Sequence, residues 1–374
     1  MKRFIFSAIA LVVAVTACTE SGIIDAPQFY NNAIVFDTYI GKTPVTKAED
    51  MNLAHLKQSI ENGGGAHLLA FTCPDANSPL YGLPDHVKWT EGTYLNGNLV
   101  FVDASPAYWS YQVDGSEEEA YMPSGSGLAV AAYNLMADSC IDQTTQTSTD
   151  FDFTIKDVVS QQVDLLVTPL TFVSEAGETT TVPLRFYHLL SRIGFKVKST
   201  DPSNAVIKIN SIRLCGSFPK KGNVNMKLSS ASTSLESGSD TPTLTLTRRP
   251  LIVPEQNGAS TSEYELIEEG FSIVASDCSQ AQPIYSGNNE GNRFMMIMPG
   301  EQRDGAIVVE YQLDDLPAVE AVINLSDVNR TSFEAGRAYE FILNIATKAI
   351  DFSAEVVEGG WDESAGDTDI PQEN

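Results

Sequence analysis

Four histidines, His55, His67, His86 and His188, are the side chains best suited to proton transfer or metal binding near neutral pH. None stands in an HExxH or HxH pair, so the spacing that brings two imidazoles to one ion is missing. No GxSxG elbow, Walker loop or GxGxxG run after a strand occurs, so no cofactor is expected. The Gly63-Gly64-Gly65 run leads into Ala66-His67-Leu68-Leu69 and reads as a turn entering a strand. His188, between Tyr187 and Leu189, reads as packing or capping. With 49 acidic residues, a glycosidase-type carboxylate pair cannot be told from chance. Asp138, Asp142, Asp150 and Asp152 cluster in sequence but lack the EF-hand order and its glycine. They read as solvated loop acids, and no metal is expected. The chemistry-bearing residues therefore point away from an enzyme.

Binding chemistry is a separate matter. Trp89 and Trp109 are candidates for stacking on a sugar ring, and Trp109 sits in the most aromatic stretch of the chain, Pro106-Ala107-Tyr108-Trp109-Ser110-Tyr111. The plainer reading of such rings, Trp361 included, is that they fill a core or cover a sheet edge. Cys73, Cys140, Cys215 and Cys278 are widely spaced without a CxxC, so zinc is not expected. An oxidising compartment would let them pair. Their apolar surroundings favour buried free thiols.

The chain begins MKRFIFSAIALVVAVTAC. Lys2 and Arg3 precede an apolar run too short to span a bilayer. This is the pattern of a secretory signal peptide over residues 1–17. Small residues followed by Cys18 resemble a bacterial lipobox, in which the thiol carries a diacylglyceryl group. Membrane attachment would come from that lipid, since no later run reaches transmembrane length. Loss of Lys2 and Arg3 takes the net charge from −26 to −28. Such an acidic chain is a poor nucleic-acid partner, because phosphate binding needs a basic patch. The 43% hydrophobic content is nonetheless enough to build a core.

The elements that must carry these residues follow a period of two. Segments 33–40, 67–73, 99–102, 127–135, 151–155, 163–167, 182–187, 193–198, 205–214, 243–247, 293–298, 306–312, 338–345 and 350–357 are short apolar or alternating runs. Gly, Pro, Asn and Asp clusters separate them. The fold class expected is all-β, of sandwich architecture. In 33–40 the alternation places Ile34, Phe36, Thr38 and Ile40 on one face. Helix is expected only over 48–60 and as one turn at 186–192. Long polar loops are expected over 112–126, 138–150, 228–242 and 255–262. The stretch Ser174-Glu175-Ala176-Gly177-Glu178-Thr179 suggests a division into 18–179 and 180–374, the second part ending in a flexible acidic tail.

Several segments, taken in order, resemble a known family. They are IVFDTYIG (34–41), TPVTKAED (43–50), LLAF (68–71), AYWSY (107–111), LAVAAYN (128–134), VPLRFYHLLSRIGFKVK (182–198), FMMIMPG (294–300) and AGRAYEFILNIATKAIDFSAEVVEGGW (335–361). Together they look like the fimbrillin-like (Mfa-like) surface lipoproteins of Bacteroidales type, whose members include type V pilus subunits. The resemblance implies two transthyretin-like β-sandwich domains in tandem and a lipid-anchored precursor at the outer membrane. It also implies assembly with other pilus subunits into a homo- or heteropolymer, and contact with a host or microbial surface protein or glycan. In such pili a trypsin-like protease cuts after a basic residue behind the first strand, and a neighbour's strand fills the groove. Carried over, Lys42 and Lys47 are the candidate processing sites, and Ile34, Phe36 and Ile40 belong to the displaced strand. On the donor side, the tail after Trp361 has Ile370 as its only large aliphatic residue. Either 349–357 is the mobile strand, or the subunit does not donate. The alternative is a surface glycan-binding lipoprotein that does not polymerise.

Overall fold

A computed structural model of the chain describes residues 32–40, 64–142, 150–175, 179–200, 202–226, 232–234, 243–245, 250–255, 262–266, 270–284, 294–346 and 353–360. Among these residues the protein is β-structure joined by turns and short 3-10 segments such as Leu135–Cys140 and Ala275–Cys278. No helix among them is long and apolar enough to cross a membrane. Cys18, Lys42, Lys47, the expected helix 48–60 and Trp361 lie outside the described residues.

The largest sheet has nine strands. Its path runs from Ala33–Ile40 through Thr179–His188, Leu166–Val167, Gly127–Asn134, Ala66–Cys73, Leu95–Val102 and Tyr108–Val113 to Ser116–Glu117, with Thr171–Val173 added on Gly127–Asn134. Gly127–Asn134 is central, and all eight of its residues are buried. A central strand covered on both faces reads as continuously apolar rather than alternating. Leu128, Val130 and Ala132 face one hydrophobic cluster; Ala129, Ala131 and Tyr133 face another. The first cluster, with Leu68, Leu99, Tyr111, Val182, Leu184 and Phe186, lies within the curl of the sheet. The second runs on into the rest of the molecule through Phe151, Phe195, Phe218 and Phe341.

That remainder is built on two five-stranded sheets. One centres on Ser191–Lys198 and Arg337–Asn344, a parallel pair, and ends at Ser353–Gly360. The other centres on Val206–Gly216 and Ala306–Leu313 and ends at Val319–Asn324. Strands cross the division expected at 179/180 in both directions. Thr179–His188 joins the nine-stranded sheet of the first half, while Asp150–Thr154 pairs with Lys221–Asn225 of the second.

Two expectations are corrected. Residues 186–192 form no helical turn: Thr179–His188 ends, Leu189 and Leu190 turn the chain, and Ser191–Lys198 begins. Leu189 and Leu190 are both buried, so apolar residues follow one another and imitate a helical face. The stretch 112–126 is not simply a polar loop, because Ala120 and Met122 are buried on either side of Tyr121 and close the first sheet.

Candidate functional site

The Ala33–Ile40 strand occupies a distinctive position. It pairs in parallel with Thr179–His188, from Ala33 opposite Thr179 to Ile40 opposite Phe186. On its other side the Ile34 N–H donates to the Ala120 carbonyl at 2.8 Å, and the Met122 N–H donates to the Asn32 carbonyl at 2.9 Å. One short strand thus joins the two ends of a sheet that curls round its own apolar interior.

Alternation along the strand does the sorting. Ile34, Phe36 and Thr38 are buried, while Val35 and Asp37 are exposed. Ile40 pairs with Phe186 in the ladder; its side chain lies outside the described set. The facing wall follows the same rule, with Thr180, Val182, Leu184 and Phe186 buried and Thr179, Thr181 and Pro183 exposed. Burying Ile34 and Phe36 contributes about 1.5–3 kcal/mol each. The Thr38 hydroxyl is buried without a hydrogen-bond partner, and so is that of Ser110. An unmet buried hydroxyl costs about 1–3 kcal/mol, so the strand is held by its ladder and apolar anchors at some polar expense.

Beneath the strand, small and aromatic residues are in contact. The Phe36 and Tyr111 ring centroids are 6.3 Å apart. The Tyr111 hydroxyl accepts the Asn96 N–H at 3.1 Å, and burial pushes its phenol pKa up. This placement requires Gly97, where an added Cβ would stand 2.4 Å from the Gln112 carbonyl and 2.8 Å from the Tyr111 ring.

The far end of Thr179–His188 is tied to the rest of the molecule. His188 Nδ1 lies 2.5 Å from Asp164 Oδ2, the His188 side chain only 4% exposed. The Leu189 N–H donates to the Leu165 carbonyl, the Ser191 hydroxyl to the Glu334 carbonyl, and the Gly336 N–H to the Leu190 carbonyl. His188 therefore has a structural partner, in keeping with packing rather than chemistry.

The tryptophans lie elsewhere, and both are half-buried. Trp89 packs its ring 4.8 Å from Phe71 and donates its indole N–H to the Pro84 carbonyl at 3.0 Å. Trp109 meets Phe101 edge-on at 5.4 Å and packs against the interior of the first sheet. The structure does not bring the two together as a pair. The acid cluster is also engaged: Asp152 accepts from Lys221 and Asn223, and burial raises the Asp138 carboxyl pKa against the opposing pull of His67 and Tyr133. Cys73, Cys140 and Cys278 are buried free thiols, and Cys215 is half-buried and free. Among the described residues no group of three or more His, Cys, Asp or Glu is placed to hold a metal.

The sequence pointed to the strand at 33–40 but missed the residues that close over it. Ala120 and Met122 were legible in principle, since they flank Tyr121 with a period of two.

The fimbrillin-like family model matches residues 88–358. A fimbrial protein from Bacteroides vulgatus aligns over 88% of this chain and 100% of its own, at 17% identity and a TM-score of 0.52, a likeness of fold. A candidate cell adhesion protein from Bacteroides uniformis aligns over 79% of this chain and 91% of its own, at 12% identity and a TM-score of 0.47. None of the curated proteins compared with the chain matches it. With the family model covering well over half of its residues, the chain belongs to the fimbrillin-like family.

Proposed function

We propose that this protein is a non-enzymatic structural and adhesion subunit of a cell-surface fimbria. It is exported as a lipoprotein, anchored to the outer membrane through Cys18, and assembled with other subunits after a protease frees its first strand. The observation that carries this reading is the seat of Ala33–Ile40, the strand that completes the curled sheet. Lys42 and Lys47 follow it directly in sequence. A cut after either one separates the strand covalently from the domain it completes. Its departure would leave the backbone groups of Thr179–His188 and the sites of Ile34 and Phe36 open to another strand. Strand addition to such an edge supplies main-chain hydrogen bonds, and alternate pockets give specificity. A chain of net charge −26 gains no attraction from its own kind, so assembly must rest on backbone pairing and apolar anchors.

The test is limited digestion of the purified precursor with a trypsin-like protease, followed by N-terminal sequencing and sizing. The expected result is a new terminus at Thr43 or Ala48 and a shift to higher oligomers. An intact 41–50 segment, or a clipped protein that stays monomeric at high concentration, overturns the reading.

A further inference from the structure

We propose that the edge strand Val319–Asn324 is a self-association surface. It pairs antiparallel with the same strand of a second copy, about a two-fold axis at Val322. This contact is independent of the release of the first strand.

Val319–Asn324 ends one side of a five-stranded sheet, and among the described residues it is laddered to Ala306–Leu313 alone. Its far side is a row of backbone groups of the kind that proteins guard with proline, charge, a bulge or a covering segment. Other edges of the molecule have such guards. Pro250 and Pro254 flank the exposed Leu251 and Val253, Glu263 and Glu265 lie on Ser262–Glu265, and Ala33–Ile40 is bridged to the Ala120 carbonyl. Val319–Asn324 contains neither proline nor lysine, and its register runs without a shift from Tyr311 opposite Val319 to Ala306 opposite Asn324. The edge is also apolar. Val322 is 58% exposed, and Val319 and the nearby Leu316 are exposed as well.

One bond fixes which backbone groups face outward. The Leu325 N–H donates to the Gly305 carbonyl at 2.9 Å. By antiparallel alternation, Ile323, Ala321 and Val319 then also turn their N–H and C=O groups toward Ala306–Leu313, while Glu320, Val322 and Asn324 turn theirs to the open edge. An axis at Val322 sets Val322 opposite Val322 and Glu320 opposite Asn324, so the outward-directed residues meet one another. The two Val322 residues exchange both of their bonds. The Asn324 carbonyl already accepts the Asp327 N–H at 3.0 Å, and the Asn324 N–H reaches the Glu320 carbonyl of the other copy.

The side chains select this partner and this register. On one face an apolar residue meets its own kind at Val322, and on the other Ala321 lies opposite Ile323. An axis at Ala321 would set Glu320 against Val322, and an axis at Glu320 would oppose two carboxylates. With the axis at Val322, Glu320 faces the uncharged Asn324. Its charge is met within its own copy, where Arg213 Nη2 stands 2.6 Å from Glu320 Oε2. The strand is therefore complementary to itself, as a two-fold contact requires.

The experiment uses the purified protein with its first strand uncleaved, so that strand exchange does not contribute. Sedimentation velocity should show a monomer–dimer equilibrium. Val322→Lys should weaken dimerisation more than about tenfold, because the change enters a two-fold contact twice, and should leave the urea midpoint of the monomer unchanged. In a Cys215→Ser background, Val322→Cys should link two copies through a short thiol-specific cross-linker, since opposed residues of a bonded pair hold their Cα atoms about 5.5 Å apart. A protein that is monomeric at every concentration, a dimer that Val322→Lys leaves intact, or a dimer that forms only after protease processing overturns the proposal. Linking through Glu320→Cys in place of Val322→Cys overturns the assigned axis.

Discussion

Phe36 lies against Tyr111, ring centroids 6.3 Å apart, while its backbone is in register with Val182. The first strand therefore touches both ends of the sheet it closes. This dual contact makes the strand a seal.

Truncating the seal should loosen it selectively. Phe36→Ala is expected to cost about 3 kcal/mol in urea unfolding and to speed cleavage behind the strand. Val35→Ala, at an exposed position of the same strand, should be near neutral. Equal effects from the two would mean that the inward row does not carry the seat.

Gly97 acts through Tyr111. A side chain there must displace the Gln112 carbonyl or the Tyr111 ring, and Tyr111 in turn supports Phe36. Gly97→Val should lower stability by about 2 kcal/mol and raise hydrogen exchange in Ala33–Ile40. Unchanged exchange in that strand would separate Gly97 from the groove.

Away from the groove, Lys196 Nζ stands 2.5 Å from Glu340 Oε2, with the Glu340 side chain 2% exposed. Lys196→Met removes a cation from beside a buried carboxylate and should cost about 3–5 kcal/mol. The double variant Lys196→Met with Glu340→Leu should recover most of it, because a well-packed apolar pair escapes the desolvation penalty. Denaturant midpoints decide the matter.

Burial pushes the Cys73 and Cys278 thiols up to about 11. A folded-state pKa above the unfolded value of 9.0 means a stability contribution fully present below pH 9 and lost as the pH climbs towards 11. Native protein should keep both thiols unalkylated by iodoacetamide at pH 8 and modify them on unfolding. Rapid native-state labelling of Cys73 would contradict its burial.

How much of this was legible in the sequence depended on the kind of contact. Strands with one buried face announced themselves, as in Val182, Leu184 and Phe186, because alternation is a local property of the chain, although the start of that strand at Thr179 and Thr180 was read as a boundary. The anchors Ile34 and Phe36 were readable for the same reason. The partner of that strand was not, since a parallel ladder between residues 33 and 179 depends on the folding of everything between them. Leu189 and Leu190 concealed a strand junction, as adjacent buried residues erase the period. Closure by Ala120 and Met122 was harder to read, because their single alternation about Tyr121 directly follows Glu117-Glu118-Glu119.

The central claim is that Ala33–Ile40 is a removable part of an otherwise intact sheet. Hydrogen exchange on protease-processed monomer, followed along Thr179–His188, tests it most directly. Protection of Thr179–His188 should fall on processing and return on assembly, while Gly127–Asn134 stays protected throughout. Unchanged protection of Thr179–His188, or collapse of Gly127–Asn134 together with it, would contradict the account.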